Sequence, residues 1–538
     1  MSIPSLSELS TAMRAARDTG LVDLFAGDES RAHALSFRAA GLLFDVSKLH
    51  VTQDVLSAGA RLAESMQFEA ARAALLSGAI VNASEKRPAV HAAMRGDGAD
   101  WLSDQQLASQ VKAAARALED FAQAFESRQV RTPEGKPYTS LIHLGIGGSA
   151  LGPQMLLEAL SGMGLAPALK AHVVANIDAA ALMPVLEQCD PAATLVVLAS
   201  KSFTTAETLT NAATVEAWMT GAGVTDPRAQ MVAVTASPQK AEAYGLPKSQ
   251  ILAFPEAVGG RYSIWSAVSV PAVLAYGYEA FAEFLAGAGQ MDAHFREAPF
   301  AQNVPAIAAL MDLAYANGLG AQSRATFAYD QRLALLPSYL QQLETESNGK
   351  HVGSGGALLA CLSSPVVWGG VGTDAQHAVF QLLHQGTHVV PTEFIVCARP
   401  QHSEMYHHHL LLSNCLAQSA ALMTGRTPEQ AAQKLGVAAD DPLAVAKSFP
   451  GNRPSTTILM DALTPASLGA LIAFYEHRVF TFAALIGINP FDQMGVELGK
   501  EMAKALENSF GNDAVTPANA DPSTVHLLKY INAALNQG

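Results

Sequence analysis

The feature that most limits the possible folds is an alternation between short apolar runs and helical segments, which begins near Val130. Runs of this length, followed by turn residues and then a helical pattern, are typical of βαβ units, and these units build parallel sheets. A second, more interrupted series begins near Ala325, so the sequence predicts an α/β protein with two mainly parallel sheets. The predicted strands are residues 141–144, 172–177, 194–199, 231–235, 251–254, 325–329, 366–368, 394–397 and 457–460.

Both ends of the chain show a different pattern. From Leu6 to Val81, Leu, Phe and Ala recur at helical spacing without a chemical motif, which predicts a helical packing layer. The C-terminal stretch is first rich in Pro, Asn and Asp and then amphipathic, which predicts an arm that docks on an apolar surface. The predicted segments are an N-terminal helical segment (1–116), a smaller sheet domain (117–278), a larger sheet domain (279–511) and a C-terminal helical arm (512–538).

Composition excludes several classes of partner. The chain has 538 residues, 49% of them hydrophobic and only 15% charged, so it can bury large cores. Its net charge of −14 argues against a nucleic-acid or anionic-membrane surface, and an anionic ligand would need a local cationic pocket. The four cysteines lack zinc or disulfide spacing, and no signal peptide or membrane-spanning run is apparent. We therefore expect a cytoplasmic protein.

Ligands of open parallel sheets bind beyond the carboxyl ends of the strands, so the loops there are the first candidates for a site. The first such loop is a glycine-rich segment that runs from Gly145 through Gly147 and Gly148 to Ser149. Glycines allow a ligand close to the backbone, and Ser149 opens a helix whose free amides can face that ligand. The spacing is not the dinucleotide fingerprint, and Asp178 lies further on than that motif prefers, but this loop alone is weak evidence either way.

The second loop follows the predicted strand at 194–199 and combines hydroxyl groups, one lysine and a helix N-terminus. This combination suits a phosphate monoester, because it offers many donors, one positive charge and a favourable dipole. The loop lacks the pattern that cradles a nucleoside triphosphate. An ordinary helix start is the alternative, since Thr204 and Glu207 have capping-box spacing. The candidate phosphate ligands are Ser200, Lys201, Ser202 and Thr205.

A third loop, Gly259-Gly260-Arg261, also comes between a predicted strand and an apolar helix. Paired glycines bring backbone amides close to a ligand, and the planar fork of an arginine can stabilise a developing oxyanion. A surface turn with a solvated arginine is the alternative.

One helix carries a candidate base. Leu336, Leu340 and Leu343 recur at i, i+4 and i+7, which predicts a helix that buries this stripe, whereas Gln342 and Glu346 share another face. Asn348-Gly349 should end this helix. A carboxylate in the last turn lies at the negative end of the helix dipole, which favours proton uptake and suits a general base. A solvated glutamate at the end of a helix is the alternative.

Two further segments contain titratable groups. Thr373 and Gln376 have capping-box spacing, and Gly386 should end the same helix, which places His384 in its last turn. A histidine there can accept and donate protons near neutral pH, although a structural histidine is the alternative. Lys500 ends the segment that starts at Asn489, after two glycines.

Together these segments resemble the glucose-6-phosphate isomerase family. The resemblance runs from about Val51 to Asn532 and rests, in chain order, on GIGGS, SKSFTTAET, GGRYS, the ESNGK run at Glu346, the QLLHQGT run at His384 and FDQMGVELGK. The departures are Ser202, Met494 and Ser269, where the family often has threonine, tryptophan and glycine. None of them removes a reacting group.

The resemblance implies two α/β/α sandwich domains of the sugar-isomerase type and a homodimer whose sites are shared between subunits. It implies the interconversion of glucose 6-phosphate and fructose 6-phosphate, in glycolysis and gluconeogenesis, through ring opening and a cis-enediol, without metal or organic cofactor. Glu346 would move the proton, His384 with Lys500 would open the ring, and Arg261 would stabilise the enediolate. The implied substrate and phosphate contacts are Gly148, Ser149, Ser200, Lys201, Ser202, Thr205, Gln342 and Gln493. Glu207 matches a residue that orients the histidine, with capping as its alternative.

Three other functions would use parts of the same sequence. A non-catalytic sugar-phosphate sensor would need the phosphate loop but would have no use for Glu346, Arg261 and His384 together. A metalloenzyme would draw on the cluster from His402 to His409, which lacks the HExxH spacing. Additional activity on mannose 6-phosphate depends on the shape of the pocket at C2, which the sequence does not show.

Overall fold

The computed structural model describes residues 3–511 and 514–536. The chain forms two compact units, Met1–Phe491 and Asp492–Gly538. The first two and last two residues of the predicted arm, 512–513 and 537–538, lie outside the described residues, as do residues 1–2. The boundaries after residues 116, 278 and 511 stay predictions.

Helices make up most of the first unit. In chain order they are α1 (Pro4–Thr19), α2 (Leu21–Ala26), α3 (Arg31–Ala34), α4 (Gln53–Ser65), α5 (Phe68–Leu76), α6 (Gln105–Glu126), α7 (Leu151–Ser161), α8 (Ala179–Leu186), α9 (Ala206–Gly221), α10 (Pro238–Tyr244), α11 (Val270–Tyr276), α12 (Tyr278–Glu297), α13 (Val304–Leu319), α14 (Leu336–Asn348), α15 (Asp374–Gln385), α16 (Met405–Thr424), α17 (Pro428–Leu435), α18 (Pro442–Ala446) and α19 (Pro465–Ile486). The second unit contains α20 (Glu497–Leu506) and α21 (Pro522–Leu535).

Within the described residues, the strands all belong to the first unit and form two sheets. They are β1 (Ser36–Ala39), β2 (Leu42–Asp45), β3 (Ser140–Leu144), β4 (Lys170–Val174), β5 (Thr194–Ala199), β6 (Met231–Thr235), β7 (Ile251–Ala253), β8 (Ser323–Tyr329), β9 (Val366–Val371), β10 (Thr392–Cys397) and β11 (Ser455–Met460). All nine strands predicted from the apolar runs are confirmed, with ends that differ by a few residues.

The first sheet has five parallel strands in the order β4-β3-β5-β6-β7. The chain moves from β3 to β4 on one side and then crosses to β5 on the other, so the strand order reverses between β3 and β5. Open α/β sheets bind ligands at such a reversal, beyond the carboxyl ends of the strands. The glycine-rich loop follows β3 and the hydroxyl-rich loop follows β5, so the topology brings these two segments side by side.

The second sheet has six strands in the order β1-β2-β11-β10-β8-β9. β8, β9, β10 and β11 are parallel, whereas β1 and β2 form an antiparallel hairpin that pairs with β11. The hairpin lies within the segment predicted to be helical, so that part of the prediction is wrong. Its turn uses Ala40 and Gly41, with φ of 48° and 78°, a two-residue turn without the Asn-Gly or Asp-Gly signal that makes hairpins recognisable.

The second sheet separates two apolar cores because its side chains alternate between its faces. Along β8, Ala328 packs into the core that contains Leu343 of α14, whereas Phe327 packs into the core that contains Leu383 of α15. β10 repeats this division, with Ile395 on the α14 side and Phe394 on the α15 side. Helices α14 and α15 therefore cover opposite faces of the same sheet.

Helix α19 is the principal core helix. It is long and apolar enough to cross a membrane, but 94% of its most apolar window is buried inside the protein. It packs against α12, α13 and α14. We therefore assign it to the protein core.

Candidate active site

The glycine-rich loop after β3 packs directly on the loop that carries Arg261. A Cβ atom added to Gly148 would lie 2.2 Å from the carbonyl carbon of Gly260, so only glycine fits there. The Ser263 hydroxyl donates to the Gly260 carbonyl at 2.6 Å and lies 3.4 Å from the Gly148 carbonyl. These contacts hold the first and third candidate loops together.

Helix α14, which packs on the second sheet, also borders the glycine-rich loop. It spans Leu336–Asn348, which confirms the predicted helix and its end. A Cβ atom on Gly147 would lie 3.1 Å from Nε2 of Gln342, so this glutamine borders the glycine-rich loop. The Gln342 amide donates to Oε2 of Glu346 at 2.9 Å. Gln342 thus joins the loop to the candidate base.

Arg261 is buried, with 4% of its surface exposed, and is therefore not a solvated turn residue. Its Nη1 lies 3.4 Å from Oε1 of Glu346, whose side chain is 25% exposed. Its Nε donates to the Ser347 hydroxyl at 2.6 Å, and its Nη2 donates to the Pro490 carbonyl. A carboxylate and a guanidinium are therefore in contact at the point where the glycine-rich loops meet α14.

The hydroxyl-rich loop does not form the capping box that its spacing allows. Helix α9 starts at Ala206, with Thr205 as the residue before it and no side-chain cap from Thr205. The hydroxyl of Thr205 hydrogen-bonds that of Ser200 at 2.8 Å, and Thr204 hydrogen-bonds Ser202 at 2.7 Å. Capping by Thr204 and Glu207 is therefore wrong. The hydroxyls instead form two pairs in the loop before the helix.

Lys201 lies among charged side chains of both signs. Burial lowers the pKa of its ammonium group, and the nearby cations of Arg87 and Arg261 lower it further, while Glu85 and Glu256 oppose this shift. Arg87 itself pairs with Glu85 at 3.2 Å and with Glu256 at 2.9 Å. Lys201 and Arg261 therefore lie close enough to interact electrostatically, and they are two cations that an anionic ligand of an acidic chain could use.

His384 lies in the last turn of α15, as predicted, but the capping box at the start of that helix is wrong. Thr373 makes no side-chain cap, and Gln376 hydrogen-bonds Tyr329 and Asn414 instead. Nε2 of His384 lies 2.8 Å from Oε1 of Gln418 in α16. Its ring also packs edge-on against Phe449, with centroids 5.8 Å apart.

His384 and Glu346 are not brought together within one chain. In the part of the chain that the structure describes, the recorded partners of His384 are Gln418 and the rings of Phe380 and Phe449. Phe380 lies in the core on the α15 side of the second sheet, and Gln418 belongs to α16, whose Cys415 lies in the same core, whereas Glu346 belongs to α14.

Four other predicted site residues stay as proposals. Gln493 and Lys500 belong to the second unit, with Lys500 inside α20. Glu207 lies in the first turn of α9, and Ser149 precedes α7 at the end of the glycine-rich loop.

Two further groups that could act in place of the predicted ones meet specific structural obstacles. Glu344, the nearest other carboxylate in α14, is 3% exposed and forms a buried ion pair with Arg324, so it is not accessible to a substrate bound beside Glu346. In the cluster from His402 to His409, His408 is buried against the Ala398 carbonyl, while His402 accepts from the amide of Glu404. Within the described residues, no group of three or more His, Cys, Asp or Glu side chains is placed to hold a metal ion.

Sequence reasoning missed several supporting residues. Ser347 and Gln418 contact predicted site residues, and Arg87 contributes to the charge around Lys201. Ser347 lies inside the quoted ESNGK run, so that motif was its only signal. Nothing in the local sequence marks Gln418 or Arg87, since their contacts come from distant parts of the chain.

These side chains can together exchange protons with a bound substrate, stabilise negative charge on it and bind an anionic group. A partly exposed carboxylate can exchange protons with a bound substrate, and an adjacent guanidinium can stabilise negative charge on an oxygen of that substrate. The hydroxyls and the ammonium of the loop after β5 can bind an anionic group nearby.

Comparison with known proteins agrees with this chemistry. A family model described as phosphoglucose isomerase matches residues 45–528. A glucose-6-phosphate isomerase from Sphingopyxis alaskensis is 50% identical over 511 residues, which cover 95% of this chain and 95% of the relative. One from Novosphingobium aromaticivorans is 48% identical over 532 residues, which cover 99% and 96%. The crystal structure of a glucose-6-phosphate isomerase from Chlamydia trachomatis is 30% identical and superposes with a TM-score of 0.83 over 97% of this chain and 98% of its own. The chain therefore belongs to the phosphoglucose isomerase family, and its activity is that of a glucose-6-phosphate isomerase.

Proposed function

We propose that this chain interconverts glucose 6-phosphate and fructose 6-phosphate at the place where the glycine-rich loops meet α14. The observation that carries the proposal is the 3.4 Å contact between Nη1 of Arg261 and Oε1 of Glu346. An aldose–ketose isomerisation needs one base that reaches two adjacent carbons and one cation that stabilises the oxygen beside them. Glu346 and Arg261 have the chemistry and the spacing for these two roles.

The phosphate would bind to the loop after β5. Ser200, Ser202 and Thr205 supply hydroxyl donors, and Lys201 supplies a positive charge. The backbone of Gly148 and Ser149, at the neighbouring strand end, would border the same ligand. The topology supports this placement because both loops leave the sheet where its strand order reverses.

The proton transfer would follow from this anchoring. With the ring open and the aldehyde at C1, the Glu346 carboxylate takes the proton from C2. The electron pair of that bond forms the C1–C2 double bond, and the carbonyl pair moves to O1, where Arg261 stabilises the charge. The O2 hydroxyl proton then passes to O1, which leaves the negative charge on O2. As the carbonyl forms at C2, the C1–C2 double bond takes the proton back from Glu346 at C1, and fructose 6-phosphate results. Gln342 holds the carboxylate for this step, and Gln493 would contact the sugar.

Ring opening would be the role of His384, assisted by Lys500. It needs a proton donor at the ring oxygen and a proton acceptor at the C1 hydroxyl, and an imidazole can perform such transfers near neutral pH. Since α14 and α15 cover opposite faces of one sheet, we propose that His384 serves the site of a second copy in a homodimer. Glu207 of that second copy would then orient the imidazole. A cytoplasmic location agrees with free, scattered cysteines.

The test is to incubate the purified full-length chain with fructose 6-phosphate in the presence and absence of a chelator. Formation of glucose 6-phosphate at the same rate in both conditions is expected. Absence of glucose 6-phosphate in both samples would contradict the proposal. Loss of the activity only in the sample with chelator would favour a metalloenzyme. Assaying mannose 6-phosphate in the same reaction tests the dual-specificity alternative.

A further inference from the structure

Ser347 occupies an unusual place in this site. It follows the candidate base Glu346 directly in α14, and its side chain is fully buried. Its hydroxyl oxygen lies 2.6 Å from Nε of Arg261 and 2.9 Å from the hydroxyl of Tyr262. A guanidinium N–H can only donate, so the Ser347 oxygen accepts the hydrogen bond from Arg261. One serine thus contacts both residues of the Arg261-Tyr262 pair.

The contact with Ser347 helps to fix the direction of the guanidinium. Nε of Arg261 donates to Ser347 and Nη2 donates to the Pro490 carbonyl, so two of the three nitrogens are held by protein acceptors. Because the guanidinium is planar and rigid, these two bonds determine where the third nitrogen points. That nitrogen, Nη1, faces Oε1 of Glu346.

Tyr262, the second hydrogen-bond partner of Ser347, is packed between other rings. The ring of Tyr262 packs against the rings of His91 and Phe491, with centroids 4.6 Å and 5.5 Å away. Burial raises the pKa of the Tyr262 phenol to about 12, so the hydroxyl stays neutral and remains able to share a proton with Ser347. The serine oxygen therefore has a fixed environment on both sides.

We propose that Ser347 is a positioning residue that sets the direction of the Arg261 guanidinium relative to the Glu346 carboxylate. Ser347 and Glu346 are consecutive residues of one helix, so a single element would hold the base and aim the cation. Small misplacements of such groups are costly to the chemical step. Ser347 acts in this way only if Arg261 stabilises the enediolate, so the inference rests on the proposed function.

The first part of the test compares Ser347→Ala with a matched control, Tyr339→Phe. Tyr339 is buried on the same helix, and its hydroxyl has no hydrogen-bond partner among the described residues. Ser347→Ala should lower kcat about tenfold or more, while KM for fructose 6-phosphate changes less than about twofold. Tyr339→Phe should leave both parameters unchanged. Thermal melting of both variants shows that each is folded. A rise in KM with an unchanged kcat for Ser347→Ala would overturn the proposal.

The second part is a double-mutant cycle with Arg261→Lys. Lysine has no planar fork to be aimed by Ser347, so Ser347→Ala should cause little further loss of kcat in the Arg261→Lys background. An equal fold-loss in both backgrounds would overturn the positioning role while leaving the proposed function intact. If Arg261→Lys itself retained the parent's kcat, the assigned role of Arg261 would fail, and the inference about Ser347 would fail with it.

Discussion

Glu346 and His384 lie on helices that pack against opposite faces of the same six-stranded sheet. Leu343 of the Glu346 helix shares a core with Ala328 and Ile395, while Leu383 of the His384 helix is in the other core. The loops that meet around Glu346 come from the five-stranded sheet, and the partners of His384 come from α15, α16 and Phe449. Proton transfer and ring opening, if these residues perform them, therefore need groups from different surfaces of the chain.

Glu346→Gln should abolish isomerisation without abolishing binding. The amide keeps the volume of the carboxylate but cannot accept the C2 proton, so kcat should fall by roughly two orders of magnitude or more. Exchange of the C2 proton with solvent, followed by NMR, should disappear in parallel. Glu344→Gln is the matched control, because Glu344 is two residues away on the same helix but buried against Arg324. It should retain the parent's kcat. If Glu346→Gln remains active, another group is the base.

Ser200→Ala and Thr205→Ala should each weaken substrate binding. If these hydroxyls bind the phosphate as proposed, each substitution removes a charge-assisted hydrogen bond worth on the order of 1.5 to 3 kcal/mol. The two hydroxyls also bond each other at 2.8 Å, so the double variant should lose less than the sum of the single losses. Inhibition by inorganic phosphate should be weaker in each single variant than in the parent, and weakest in the double variant. Thr214→Ala, which removes an exposed hydroxyl from α9, the helix that follows this loop, is the control. Unchanged phosphate inhibition in both site variants would show that the phosphate binds elsewhere.

Lys201 should give the enzyme an alkaline limit. Burial lowers the pKa of this lysine below its ordinary value of 10.5, and nearby Arg87 lowers it further. Below that pKa the ammonium is charged and attracts the phosphate; as pH rises through the pKa, the charge is lost and KM for fructose 6-phosphate should rise. This rise should begin at a lower pH than for an ordinary lysine.

The substitution Lys201→Arg tests this assignment, because a guanidinium stays charged throughout the range. The alkaline rise in KM should disappear in this variant. Lys240→Arg is the control, since Lys240, among the residues that the structure describes, contacts the same loop through the Ser202 carbonyl at 3.2 Å and should keep the parent's profile. An alkaline rise that persists in Lys201→Arg would assign the titration to a different group.

Local sequence patterns were sufficient for most of the architecture. Parallel strands are marked by compact apolar runs, so β3 and β5 and the loops after them were found directly. The β1–β2 hairpin was missed because each strand has only four residues and its turn, Ala40-Gly41, has no typical hairpin sequence. Short strands that pair with a distant part of the chain leave little local signal.

The predictions made from capping-box spacing were wrong because the side chains concerned hydrogen-bond other residues. Thr204 had capping-box spacing, but its hydroxyl bonds Ser202, and Gln376 bonds Tyr329 and Asn414. The contact between Arg261 and Ser347 joins residues 86 positions apart, so periodicity could not predict it. Family motifs predicted the reacting groups, but the residues that contact them could be named only from the fold.

The shared-site proposal makes a prediction about mixed dimers. Chains with Glu346→Gln and chains with His384→Ala should each be nearly inactive alone. When the two are refolded together, one site of a mixed dimer receives both substitutions and the other receives neither. Random pairing at equal amounts should therefore restore about a quarter of the parent's activity. The measurement is the isomerisation rate of the mixture, with the proportion of mixed dimers determined by mass spectrometry.

A second mixture serves as the control, because Glu346 and Arg261 are in direct contact within one chain. Mixing Glu346→Gln chains with Arg261→Lys chains leaves one defect in each site of a mixed dimer, so activity should not exceed that of the separate variants. If the first mixture also showed no recovery although mixed dimers were present, each chain would have to supply both Glu346 and His384 to its own site. That result would contradict a site shared between subunits, and it would require α15 to approach α14 in a way that the sheet between them does not allow in this structure.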